Sequence, residues 1–172
     1  MLIFTIVTSI PTEENVLNFL PDVTTRELMV LRTWSDRLSV PASWSTSKET
    51  PHIYRVVDKD GTKRLILFSG LYPIRMSVSE DEGTTWSELA PIGDYGGIVA
   101  MADMINTGVG AYTAFFHDDG RFITSTGKAT GLFQVYAVDS TDGGMTWSEP
   151  RVVAHLPNVH LCEPGLIRSP NG

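Results

Sequence analysis

Acidic, histidine and arginine side chains gather in two short stretches, HDDGR at residues 117–121 and HLCE at residues 160–163. Carboxylates and imidazoles can bind ligands and transfer protons, and an arginine can hold a ligand's carboxylate through two parallel hydrogen bonds. These residue types are those of a ligand site, provided that the fold brings them together. The candidate site residues are Glu163, Asp118, Asp119, Arg121, His52, Tyr72, His117 and His160.

Each candidate also has a structural interpretation. Glu163 could cap a strand or form a salt bridge, and DDG at residues 118–120 is an ordinary turn sequence. The histidines at 117 and 160 are residues that often serve as buried hydrogen-bonding partners, and Arg121 could form a surface salt bridge. The positions of these residues in the fold must therefore decide between the two interpretations.

The elements that would position these residues are short β-strands. Runs rich in β-branched and aromatic residues alternate with Gly- and Asp-containing turns, a pattern typical of antiparallel sheets. The order of runs repeats, which predicts four-stranded units. The predicted strands are residues 52–58, 64–70, 72–80 and 84–93, then 96–105, 111–119, 132–140 and 145–154, and a first strand of a further unit within 160–172.

A ten-residue phrase occurs twice, as SEDEGTTWSE at 79–88 and as STDGGMTWSE 61 residues later. Its aspartate can accept hydrogen bonds from the backbone of its own turn, and the glycine at its fifth position can adopt the left-handed conformation that a tight turn demands. Its tryptophan can begin the next strand and bury a large ring between sheets. A calcium loop is the alternative, but the oxygen ligands fall at the wrong offsets. The phrase therefore predicts a structural turn formed by Ser79, Asp81, Gly83 and Trp86, and by Ser140, Asp142, Gly144 and Trp147.

Internal similarity at this spacing, with four strands a unit, is the signature of β-propeller blades. In an up-and-down unit successive turns alternate between the two ends of the sheet. The Asp-containing turns would lie at one end, and the candidate site residues would gather at the other, where Tyr72 adds an aromatic wall. The far end is therefore the predicted ligand site.

The phrase S-x-D-x-G-x-T-W resembles the Asp-box, or bacterial neuraminidase repeat, of sialidases and related six-bladed propellers. FFHDDGRFI at 115–123 and HLCEPGLIRSPNG at 160–172 are similar to a bacterial sialidase-like branch. The resemblance covers about residues 26–172. It implies an exo-α-sialidase type of glycoside hydrolase, in which three arginines hold the sugar carboxylate, an Asp is the acid/base, and a Glu activates a Tyr nucleophile.

On this resemblance Glu163 matches the activating Glu, while Asp118 and Asp119 are offered as the acid, so these three are the candidate catalytic residues. The sequence also departs from the family: KETPHI at 48–53 has Glu49 where the first arginine is expected, the loop SGLYP at 69–73 has no carboxylate, and no Tyr is assigned as nucleophile. The alternative function is therefore a non-catalytic or differently specific glycan-binding propeller.

Composition limits the partners. The net charge of −7 over 172 residues argues against nucleic acid or an acidic membrane surface as the main partner. The resemblance implies a glycan as the partner, and neither a cofactor nor a metal is expected. The first ten residues are mostly apolar but lack the flanks of a signal peptide, so localisation is not predicted; many of the related proteins are secreted or periplasmic.

The blade count predicts an incomplete propeller. Residues 1–24 are unassigned, and 25–172 would form a partial sialidase-like domain of about three blades, beginning with the end of an early blade at 25–41. Because a six-bladed ring needs roughly twice this length, we expect a fragment that is inactive alone. Open blade edges could also pair between copies.

Overall fold

The strand-like runs from His52 onward form eight β-strands in the computed structural model, which describes residues 41–124, 126–167 and 169. The described residues belong to one compact unit of the chain, Val40–Gly172. The assignments of residues 1–24 and most of 25–41 lie outside the described residues. The strands are β1 (His52–Val57), β2 (Lys63–Ser69), β3 (Arg75–Ser79), β4 (Ala90–Pro91), β5 (Ile98–Gly108), β6 (Ala111–Asp118), β7 (Gln134–Ser140) and β8 (Arg151–Ala154).

The strands form two separate four-stranded sheets, in the orders β1-β2-β3-β4 and β5-β6-β7-β8. Every neighbouring pair is antiparallel, so consecutive strands are joined by short connections. A short 3-10 helix, Ala42–Thr46, precedes the first sheet and is the single helical element of the described part. The all-β prediction of four-stranded antiparallel units is thereby confirmed.

The hydrophobic core lies between the two sheets. Val56, Ile66 and Phe68 of the first sheet and Phe116 and Val138 of the second belong to one buried cluster, and none of them is exposed to solvent. The burial of these β-branched and aromatic side chains from water, at about 25 cal/mol per Å² of apolar surface, is what holds the sheets together. Their positions on the strands therefore fix which sheet faces meet.

The first aspartate loop, residues 79–86, joins β3 to β4. The carboxylate of Asp81 accepts hydrogen bonds from the Ser79 hydroxyl (2.9 Å), the Thr85 backbone N–H (2.8 Å) and the Thr85 hydroxyl (2.7 Å). The backbone N–H of Thr85, followed by its hydroxyl, lowers the pKa of Asp81. Gly83 adopts φ +87°, a conformation that glycine takes without the steric penalty of a side chain.

The second aspartate loop, residues 140–147, repeats this arrangement between β7 and β8. Asp142 accepts hydrogen bonds from the Ser140 hydroxyl (2.8 Å), the Thr146 N–H (3.0 Å) and the Thr146 hydroxyl (2.6 Å). Burial opposes ionisation, but the hydrogen bonds that the carboxylate accepts, from Thr146 first and then from Ser140, together lower the pKa of Asp142. The ring of Trp147 packs edge-on against Phe68 of the first sheet, with centroids 5.6 Å apart.

The fourth strands begin later than predicted. The expectation that Trp86 and Trp147 begin a strand is wrong, because β4 starts at Ala90 and β8 at Arg151. The hydroxyls of Ser87 and Ser148 explain the delay, since they accept the backbone N–H groups of Val78 (2.9 Å) and Asp139 (3.0 Å). A side chain thus takes the place of a backbone carbonyl in the ladder.

The further strand predicted within residues 160–172 is also absent from its described part. Residues 160–167 run across the second sheet and form single hydrogen bonds instead of a ladder. The Leu161 N–H donates to the Phe133 carbonyl (3.1 Å), and the Leu166 N–H donates to a carboxylate oxygen of Asp103 (2.6 Å). No described strand lies beside this segment to pair with it.

Candidate functional site

The two ends of each sheet carry different groups. Because β3 and β7 run in the same direction as β1 and β5, the aspartate loops lie at the end where β1 and β5 finish. The Gly143 N–H donates to the Gly110 carbonyl (2.8 Å), which joins the second aspartate loop to the β5–β6 turn. The starts of β1 and β5 and the ends of β2 and β6 lie at the opposite end, which we call the loop end.

A cavity of about 400 Å³ opens at the loop end. We call it the glutamate cavity; its lining residues are Glu49, Thr50, His52, Val99 and Glu163. The structure thus brings together two of the predicted site residues, His52 and Glu163, which are more than 100 positions apart in the sequence. Two carboxylates and an imidazole in one cavity can hold sugar hydroxyls and exchange protons with them.

His52 and Glu49 are fixed by one residue of the second sheet. The His52 Nδ1 lies 3.2 Å from the Ala100 carbonyl oxygen, and a Glu49 carboxylate oxygen accepts the Ala100 N–H at 3.4 Å. Because a carbonyl only accepts hydrogen bonds, the proton of a neutral His52 belongs on Nδ1, which leaves Nε2 as an acceptor for a ligand hydroxyl. Both side chains are therefore anchored before any ligand arrives.

The backbone in and beside this cavity adopts conformations that L-residues seldom take; Val99 and Glu163 line the cavity, and Met101 follows Val99 by two residues. Val99, Met101 and Glu163 have φ values of +50°, +53° and +48°. Positive φ is unusual for a β-branched residue such as Val99 and costs about 1–3 kcal/mol. Val99 and Met101 fall within a register shift of β5, between Ile98 and Asp103. Strain of this kind concentrates at ligand sites, where surrounding contacts hold it.

His117 positions the backbone of Glu163 through a hydrogen bond. The Glu163 N–H donates to Nδ1 of His117 at 3.1 Å, so His117 must be neutral to accept it. Burial lowers the pKa of His117, and the charge of Glu163 opposes that shift only in part. His160 has a similar role, since its Nδ1 accepts the Phe133 N–H at 3.3 Å. The structure thus places both histidines as backbone partners, and neither lines the glutamate cavity.

Asp118 and Asp119 differ in their surroundings. Asp118 is fully buried; one of its oxygens accepts the Phe122 N–H (3.1 Å), and the other has no hydrogen-bond partner among the described residues. Burial raises the pKa of Asp118. Asp119 is bound by the Arg121 guanidinium through two contacts (2.8 and 2.5 Å), which lower its pKa. Neither carboxylate lines the glutamate cavity.

A second cavity of about 300 Å³ lies at the same end. We call it the basic cleft; its lining residues are Lys48, Leu71, Tyr72, Arg121, Phe122 and Thr124. Two further predicted site residues, Tyr72 and Arg121, are therefore brought together here, apart from His52 and Glu163. The adjacent residues Lys48 and Glu49 place the two cavities side by side.

Sequence reasoning missed Glu49 and Lys48 as site residues. In the sequence, Glu49 stood out only as a position where an arginine is expected and absent. Its place just before Pro51 and His52, at the start of a predicted strand, could have indicated that it lies beside the site. No tyrosine of the described part lines the glutamate cavity. Within the described ranges, no cluster of His, Cys, Asp or Glu is arranged to hold a metal, and no helix has the length and apolar character needed to cross a membrane.

Comparison with known proteins adds no relative. No protein-family model matches the chain, and no curated protein matches it closely enough to indicate a relationship. The fold and the two cavities define an all-β protein with a polar site at one end of two stacked sheets. Its function must be inferred from that site.

Proposed function

We propose that this chain is part of a sialidase-like glycoside hydrolase of the β-propeller class, acting on a terminal acidic sugar of a glycan. The observation that carries the proposal is the joint presence of Glu163 and His52 in the glutamate cavity, at the end opposite the aspartate loops. A glycan is the favoured ligand because the cavity combines carboxylate acceptors with an imidazole, groups that suit sugar hydroxyls.

The propeller is supported by the occurrence of the same structural unit twice in the described part of the chain. Each sheet has four antiparallel strands and carries an aspartate loop after its third strand. The second loop inserts Trp147 against Phe68 of the preceding sheet. Further units stacked in the same sense would form a disc whose loop ends surround a central axis. In such a disc the glutamate cavity would face the shared mouth.

Glu163 is the proposed reactive group. Its backbone is held by His117 while its side chain is exposed at the cavity, so the carboxylate is available to a ligand. A carboxylate in this position can take a proton from the hydroxyl that attacks the glycosidic carbon, whether phenol or water. In the resembling family that hydroxyl belongs to a tyrosine.

The second candidate function, a glycan-binding propeller with a different specificity, is favoured by Glu49. Its carboxylate stands in the glutamate cavity where the resemblance calls for an arginine. Two carboxylates repel an anionic group at close range, by about 1 kcal/mol at 4 Å even in water. A site of this charge selects the neutral part of a sugar.

The test is ligand binding by the purified chain. Saturation-transfer NMR with sialyllactose, lactose and a mixture of neutral and acidic disaccharides should show transfer to at least one ligand. Glu163→Gln should weaken that binding about tenfold, the size expected when a charged hydrogen bond is lost. Glu149→Gln, an exposed glutamate beside the second aspartate loop, is the matched control and should bind as wild type does.

The outcomes separate the two candidates. Turnover of a fluorogenic glycoside that Glu163→Gln abolishes supports the hydrolase. Because the chain is expected to be inactive alone, binding without turnover is interpreted by the preferred ligand: tighter binding of sialyllactose than of lactose supports the hydrolase, and tighter binding of a neutral sugar supports the glycan-binding alternative. No transfer to any sugar, or equal binding by wild type and Glu163→Gln, would refute both.

A further inference from the structure

The basic cleft carries positively charged side chains, whereas the glutamate cavity is lined by two carboxylates. Lys48 and Arg121 line it together with the aromatic rings of Tyr72 and Phe122. Aromatic walls suit the apolar face of a sugar ring, and cations suit a carboxylate or sulfate on that ring. The protein as a whole has a net charge of −7, so these two cations form a local exception.

Arg121 is held in place but keeps donors to spare. Its Nε and one terminal nitrogen bind the Asp119 carboxylate, whose side chain is only 2% exposed, while the arginine side chain is 48% exposed. A guanidinium has five N–H donors, so about three remain for a ligand. The buried carboxylate thus fixes the guanidinium plane and reduces the entropy lost when a ligand binds.

Lys48 supplies the net positive charge. Asp119 neutralises Arg121, whereas Lys48 has no hydrogen bond or ion pair within the described part of the chain. Two other carboxylates lie near the cleft: that of Asp118, whose charge acts on Arg121, and that of Asp94, which accepts the Tyr72 hydroxyl. Asp94 is exposed, so solvent and salt screen it.

We propose that Lys48 and Arg121 bind an anionic group, a carboxylate or a sulfate, of the glycan whose neighbouring part occupies the glutamate cavity. This rests on the proposed function, because it takes the glutamate cavity as the adjoining sugar site. Lys48 lines the basic cleft and its neighbour Glu49 lines the glutamate cavity, so the two cavities adjoin. A chain that has a glutamate at the expected arginine position can in this way still bind an acidic sugar. The anion lies in the cleft next to the carboxylates and not among them.

The experiment compares three disaccharides of matched size by isothermal titration calorimetry: one with a uronate, its 6-sulfated counterpart and the neutral parent. Wild type should bind at least one acidic ligand about tenfold more tightly than the neutral parent. Lys48→Gln should weaken binding of that acidic ligand about threefold to fivefold, as expected for an exposed ion pair, and leave the neutral parent within twofold. The uronate and sulfate arms distinguish the two sources of the anion.

Lys63→Gln is the matched control, because Lys63 is an exposed lysine at the start of β2, at the opposite end of the first sheet. It should not change any affinity. Lys48 is preferred to Arg121 for the test, since removal of Arg121 would leave Asp119 buried without its partner and could prevent folding. Thermal melts of both lysine variants should match wild type.

The failure of this inference differs from failure of the proposed function. If the neutral parent binds and Glu163→Gln weakens it, but wild type has no preference for an acidic ligand, the basic cleft is not an anion site while the glutamate cavity stands. If wild type prefers the acidic ligand and Lys48→Gln retains that preference, the assignment of the basic cleft as the anion site is overturned as well. If nothing binds, both proposals fall.

Discussion

Removal of the Asp142 carboxylate should destabilise the fold without touching the ligand site. Asp142 forms three hydrogen bonds within the second aspartate loop, two to Thr146 and one to Ser140. The loop also holds Trp147 against Phe68 of the other sheet. Asp142→Ala therefore disturbs both the turn and the packing between sheets.

The magnitude follows from which groups lose a partner. Ser140 is buried, so its hydroxyl would be left without an acceptor, at about 1–3 kcal/mol. The Thr146 N–H and hydroxyl are exposed and can turn to water, so each contributes at the low end, about 0.5 kcal/mol. We expect Asp142→Ala to lower the free energy of unfolding by about 2–4 kcal/mol, and Asp142→Asn by about half as much.

Urea unfolding followed by tryptophan fluorescence measures this free energy. The control is Asp60→Ala, because Asp60 is an exposed aspartate of the β1–β2 turn, at the same end of the first sheet, and accepts a hydrogen bond from the Thr62 N–H (2.9 Å). It should destabilise the protein much less. The pH dependence should agree: since the folded-state pKa of Asp142 is lowered, its stabilisation is present above the unfolded pKa of about 3.9 and is lost as pH falls through the folded value.

Two results would contradict this reasoning. If Asp142→Ala unfolds within about 0.5 kcal/mol of wild type, the carboxylate does not hold the loop. If the variant is as stable as wild type but loses ligand binding, the aspartate loop belongs to the site and the assignment of ends is wrong.

Two further predictions concern buried titratable groups at the loop end. Burial raises the pKa of Asp118 in the folded protein, so the stability that its protonated form contributes is fully present below the unfolded pKa of about 3.9 and is lost as pH rises through the folded pKa. Asp118→Asn carries no charge at either pH and should therefore be about 1 kcal/mol more stable than wild type at pH 7 and no more stable at pH 3. Urea titrations at the two pH values check this, and a less stable variant at pH 7 would contradict it. Burial lowers the pKa of His117, so the free energy of unfolding should fall as pH drops below about 6.5, and His117→Gln should lack that fall. Equal pH dependence in both proteins would exclude His117 as the source.

Most of the fold followed from local sequence signals. The β-branched and aromatic runs predicted β1 to β3 and β5 to β7 within a few residues, because these strands bury their side chains between the sheets. The fourth strands could not be located this way. Ser87 and Ser148 take up ladder hydrogen bonds with their hydroxyls, a tertiary detail that composition and periodicity do not encode.

The site was harder to predict, because it depends on which side chains point into open space. Sequence reasoning could place His52, Glu163, Tyr72 and Arg121 at one end, but not divide them between two cavities. It could not foresee that Asp119 would be bound by Arg121 two residues away. Contacts of this kind depend on the conformation of a loop, and the DDG sequence permits more than one.

The most direct test of the account is to map a bound glycan by the amide chemical shifts of the isotopically labelled chain. Titration with the tightest-binding sugar of the proposed assays should shift the amides of His52, Val99, Ala100 and Glu163, which surround the glutamate cavity. The amides of the aspartate loops, residues 81–85 and 142–146, should stay unchanged. Shifts confined to those loops would contradict the claim that ligands bind at the opposite end.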